Sequence, residues 1–202
     1  MPAATLTPIA ESPLDQAHHL ELAAAAERAQ PIRRAARVAS FNAWTTAVLA
    51  GLSAPFALFS VIGFLAFIAL AAVAWNEFRG RRRLLAFDPA GATIIGWNQL
   101  GLLAMIAAYC VWAVYSNLYG ANSVEAQLKA NPEYSALFGS LDELGDVIEP
   151  LVVGFYAVVV ALSAVFQGAN ALYYFTRRKL IEAYIRETPV WVLDLQRATR
   201  AA

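Results

Sequence analysis

Residues 78–101 read FRGRRRLLAFDPAGATIIGWNQLG. Four arginines fall within five positions, an Asp-Pro pair follows, and Trp97-Asn98-Gln99 enters another apolar run. The stretch is flanked by uncharged chain on both sides, and that context decides its reading. Residues 38–76, 89–124 and 150–176 contain no Asp, Glu, Lys or Arg. Each exceeds the ~20 apolar residues that cross a hydrocarbon core about 30 Å thick. The chain as a whole is 59% hydrophobic and 15% charged. Soluble domains are nearer about 45–50% and 25%, so this composition belongs to an all-α integral membrane protein.

The run at 38–76 is too long for one crossing, since a single helix would extend about 58 Å. Gly51 to Pro55 offers an interruption, because proline favours a first helical turn and disfavours helix at the residue before it. The sequence therefore predicts four transmembrane helices in an antiparallel bundle, at about 36–53, 55–78, 93–118 and 150–176. The basic residues test that count. With four crossings, fourteen of the fifteen lie on one side and only Lys129 on the other. Positive charge is retained in the cytoplasm, so both termini are expected there, and the bacterial inner membrane is the expected location. Residues 1–35 form a cytoplasmic arm, 36–176 the transmembrane domain and 177–202 a cytoplasmic tail.

The loop at 119–149 is acidic and is expected outside, with Ser140 and Glu143 at capping-box spacing for a short helix. In the N-terminal arm, Ser12-Pro13 marks a helix start and Pro31 an end or kink. Residues 1–27 have no Lys or Arg and no apolar core, so no cleaved signal is expected there. After Pro189, Trp191, Val192 and Leu195 are expected in the membrane interface.

Within the opening stretch, Asp88 can cap the third helix with Pro89 at its first position. Arg79, Arg81, Arg82 and Arg83, with Arg177, Arg178 and Lys179 after the last span, form a basic belt suited to anionic headgroups. A phosphate-binding loop is not indicated, since no glycine-rich run precedes Lys-Ser/Thr. The zero net charge gives no reason to expect nucleic acid.

The second feature is a polar stripe. Tyr156, Ser163, Gln167, Asn170 and Tyr174 recur at helical spacing in the last span, and Asn98, Gln99 and Tyr109 enter or line the third. The stripe reads in two ways. Amides in hydrocarbon can pair across helices, for about 0.6–2 kcal/mol each. Alternatively they line a polar cleft, shared with Asn42 and Asn76, that opens to the cytoplasm. Ala157, Ala161, Ala164, Gly168 and Ala171 would admit a close neighbour.

Chemistry is thin elsewhere. The spans show no acid, base or histidine at depth, no HExxH and no CxxC, and Cys110 stands alone. No cofactor, metal or enzymatic activity is expected from these residues. The expected function is a non-enzymatic scaffold, accessory or assembly subunit, with membrane lipids and a protein partner or a second copy of itself. The alternatives are a small channel or facilitator using the stripe, and an anionic-lipid-binding, membrane-shaping protein.

Overall fold

A computed structural model describes residues 14–120 and 141–201. The described residues are helical throughout, without strands, and form five helices. These are α1 (Gln16–Ala57), α2 (Val61–Leu85), α3 (Pro89–Tyr119), α4 (Leu141–Glu187) and α5 (Val190–Ala201). Three are long and apolar enough to cross a membrane: α2, α3 and the segment Val147–Glu187 of α4.

The prolines correct the boundaries read from sequence. Pro31 neither ends nor separates the arm, because α1 runs through it for 42 residues. An isolated helix loses about 3 kcal/mol to an interior proline. Here Ala25, Ala29, Ile32, Ala35 and Ala36 are buried on either side of it, and their packing holds the helix together. Those residues belong to a stripe, Ala25-Ala29-Ile32-Ala36-Ala39-Ala43-Ala50, with the alternating four-three spacing of a coiled-coil seam and side chains small enough for close helix approach. Pro55 likewise lies inside α1 rather than starting α2. The real turn is at 58–60, where Ser60 caps α2 by accepting from the Gly63 amide at 3.4 Å. A Cβ on Gly63 would collide with the Phe56 carbonyl, so the tight turn requires glycine there. Pro150 is also interior, with α4 continuous from Leu141. The expected cap at Ser12 and the capping box at Ser140 lie outside the described residues; α1 is capped by Asp15.

The α2–α3 turn follows the sequence reading. Asp88 accepts from the Ala90 amide at 2.9 Å, and Pro89 is the first residue of α3. Phe87 occupies the left-handed region at φ 54°. Its amide donates to Leu84 and the Asp88 amide to Arg83, the pair of bonds that closes a helix end when the residue after the cap is left-handed. A bulky residue there is strained. Burial of its ring, stacked on Tyr184 with centroids 4.4 Å apart, offsets the strain.

The core sits at one end of the molecule. The first half of α1, the α2–α3 turn, the last half of α4 and α5 close around Ile32, Leu84, Phe87, Ile95, Tyr184 and Val192. We call this end the head. Polar contacts fasten its margins: Arg28 donates to the Glu187 carbonyl at 2.5 Å, and the Trp191 indole to Glu21 at 2.8 Å. His18 meets Trp191 edge-on at 5.2 Å. Val192 is therefore buried in the head and Trp191 half-buried against it, while Leu195 is exposed. The arm at the start of the chain and the tail at its end make one folded unit.

A buried carboxylate cluster at the head end of the bundle

A hairpin centred on Phe87 places Asn76 and Glu77 opposite Asn98 and Gln99. Two glycines bring the helices close enough for those side chains to meet. A Cβ on Gly91 would lie 2.7 Å from the Leu84 nitrogen and 2.8 Å from the Gly80 carbonyl oxygen, while one on Gly80 would strike Ile95. Backbone cannot yield to a methyl as a flexible side chain can. We expect Gly91→Ala to cost about 1–3 kcal/mol by overpacking, read as a lower unfolding temperature. Gly101→Ala is the control, since nothing lies within 4 Å of a Cβ at that position; equal stability of the two variants would refute the close approach.

Glu77 is 0% exposed. Its Oε1 accepts from Gln99 Nε2 at 2.5 Å and from Asn98 Nδ2 at 3.2 Å. Asn98 Nδ2 also donates to the Val73 carbonyl at 3.0 Å, and Asn98 Oδ1 accepts from Asn76 at 3.3 Å. The other carboxylate oxygen, Oε2, is buried without a hydrogen-bond partner, and so is the hydroxyl of Tyr174. Tyr174 comes from α4 and is fully buried within electrostatic reach of Glu77. One acid on α2, two amides on α3 and a phenol on α4 thus converge. The amide nitrogens, not their oxygens, face the carboxylate. That arrangement solvates an acid and presents no second anionic oxygen to a metal. Among the described residues no group of three His, Cys, Asp or Glu could hold a metal ion.

The residues singled out from sequence divide accordingly. Asn98, Gln99 and Tyr174 are in the cluster, but the amides of α3 meet α2 instead of Gln167 and Asn170. Ser163, Gln167 and Asn170 lie half-buried along one side of α4, continuing the line that ends at Tyr174. Of the small residues beside them, Ala171 is buried, whereas Ala157, Ala161 and Ala164 are exposed and Gly168 faces open space. Tyr109 is 49% exposed and sits beside Trp112, ring centroids 5.8 Å apart. Glu77 escaped the sequence reading, which found no ionisable group deep in a span. The signal was present in its distance from Phe87, ten residues on one side against eleven for Asn98 on the other.

The residues of the basic belt follow the cluster on α2 and α4. Arg83 pairs with Asp88 at 3.1 Å and Arg178 with Glu182 at 2.8 Å. Arg82 lies over the Trp75 ring and Arg177 over Tyr173, at 5.9 and 4.4 Å from the centroids. Arg79 and Lys179 are exposed. No family model, curated protein or solved structure matches the chain.

Proposed function

We propose that the protein is a non-enzymatic, multi-pass inner-membrane protein that serves as a scaffold, accessory or assembly subunit through its head. The observation that carries this reading is the fastening of both terminal segments into one head, through Arg28 to Glu187 and Trp191 to Glu21. Loose tails would expose no fixed surface, whereas a folded head presents a constant arrangement of charges to a partner. Affinity purification of the tagged protein from native membranes, after mild cross-linking, tests it. A defined complex from the wild type that dissociates in Trp191→Ala is the expected result. A solitary monomer in native membranes would overturn the reading.

The same proposal includes four crossings with both termini cytoplasmic. The uncharged half of α1 presents Phe41, Trp44, Val48, Leu52 and Phe56 on its surface, a face that suits hydrocarbon although α1 is less apolar than the other three. The grouping of fourteen basic residues at one end supports the orientation. In a Cys110→Ala background, Phe59→Cys should react with an impermeant maleimide from outside intact cells. Asp194→Cys should react only after permeabilisation. Labelling of both from the same side would refute four crossings.

A second reading is favoured by one observation. The unpartnered Oε2 of Glu77 and hydroxyl of Tyr174 stand at the end of the half-buried polar line on α4. Such a line suits a facilitator for a small polar solute. Liposome flux that falls in Gln167→Leu and Asn170→Leu would support it, and flux unchanged in both would exclude that path.

A further inference from the structure

Two adjoining cavities, about 340 and 670 Å³ in volume, lie between α1 and the end of α2, and both are lined by Arg33, Arg37 and Leu85. Volumes of this order are those of small-molecule sites. The smaller cavity follows α1 from Arg33 through Arg37 and Ser40 to Phe41 and Trp44, with Arg81 and Leu85 of α2 as the facing wall. These α1 positions share one helical face, and Arg37 to Trp44 spans about 10 Å along the axis. Over that distance the groove changes from guanidinium to aromatic. Trp44 is steadied edge-on by Phe78, with ring centroids 5.5 Å apart.

Among the described residues the cationic end has no carboxylate paired with it. Arg83, Arg178, Arg186 and Arg197 each pair with a carboxylate. Among the described residues no carboxylate pairs with Arg33, Arg37 or Arg81. The Nε of Arg81 is in addition buried without a hydrogen-bond partner. A buried, unpaired donor is costly, and clustered guanidinium groups repel one another until an anion enters. Their planar forks match phosphate oxygens in particular.

We propose that this groove binds an anionic phospholipid, its phosphate held by Arg33, Arg37 and Arg81 and its acyl chains lying along Phe41 and Trp44. The polarity gradient separates a lipid from a soluble anion, because a free phosphate would use the arginines and leave the aromatic wall idle. The larger cavity, bounded also by Gln30, Arg34 and Phe87, gives room for a headgroup bulkier than bare phosphate. The site differs from the basic belt read in the sequence: two of its three arginines come from α1. It rests on α1 crossing the membrane, which the maleimide labelling tests separately.

Native mass spectrometry of the full chain in mild detergent can decide, with phosphatidylglycerol, chain-matched phosphatidylcholine and inorganic phosphate as probes. Phosphatidylglycerol should bind at least about tenfold more tightly than phosphatidylcholine. At roughly fivefold for each basic residue, Arg37→Gln with Arg81→Gln should weaken it about 30-fold. Removing the same charge outside both the groove and the belt, in Arg186→Gln with Arg197→Gln, should change it by less than about twofold. Equal binding of the two lipids would overturn the proposal. So would displacement of phosphatidylglycerol by equimolar inorganic phosphate, which marks a soluble-anion site. Equal losses in the two double variants would mean diffuse attraction. Should the groove variant fail to fold, the wild-type comparison of the two lipids and phosphate stands by itself.

Discussion

Tyr184→Ala is expected to destabilise the head by about 3–5 kcal/mol, the range for truncating a large buried aromatic. Tyr184 is buried, stacks on Phe87 and donates from its hydroxyl to Gln196 Oε1 at 3.0 Å. It therefore joins α4 to the α2–α3 turn with its ring and to α5 with its oxygen. Removing the ring also leaves Phe87 in its left-handed conformation without the stacking that offsets the strain. Tyr184→Phe should cost only about 1 kcal/mol, the usual worth of one hydrogen bond. Limited proteolysis at the arginines of the α1 arm, together with thermal unfolding, reads both effects. A wild-type digestion pattern in Tyr184→Ala would show that the head is held some other way.

Glu77→Ala should cost about 3 kcal/mol and loosen α2 from α3. The truncation deprives Gln99 of its acceptor, leaves Asn98 Nδ2 with only the Val73 carbonyl at 3.0 Å, and opens a void where the carboxylate was. Two magnitudes bear on this. Unsatisfied buried groups cost about 1–3 kcal/mol each, whereas interhelical hydrogen bonds within membranes average nearer 0.6. The lower figure reflects helices that find other partners when separated. Here both amides converge on one oxygen and the Gly80–Gly91 contact holds them there, so the higher range applies. Glu77→Gln retains an acceptor oxygen and should cost about 1 kcal/mol. Unfolding of the purified protein in detergent ranks the three. Equal stability of Glu77→Ala and Glu77→Gln would show that the hydrogen bonds contribute nothing.

Local signals in the sequence were legible where the chain itself supplies both partners. Asp88 and Pro89 start α3 because cap and first turn are adjacent residues, and Pro189 separates α4 from α5 for the same reason. Pro31, Pro55 and Pro150 misled because the rule weighs proline against an isolated helix. The alanine seam that outweighs Pro31 takes its effect from neighbours far along the chain. The stripe on α4 had a readable face, since spacing alone defines one, but spacing does not say which helix lies opposite. Glu77 was hidden by the way the uncharged runs were delimited. Each run stops at a charge, so the acid counted as the boundary of a span instead of a member of it, and only the hairpin register shows what it faces. The groove between α1 and α2 was equally illegible, since Arg33 and Arg81 become neighbours only after the long helix folds back.

The join between Glu21 and Trp191 spans 170 residues, and this has a consequence for synthesis. Chains elongate at about 5–20 residues per second, so the arm waits roughly ten to thirty seconds for its partner to be made. Throughout that interval its alanine seam has no cover from α4 or α5. A ribosome that stalls before Trp191 therefore releases a protein with its membrane helices made and its head open.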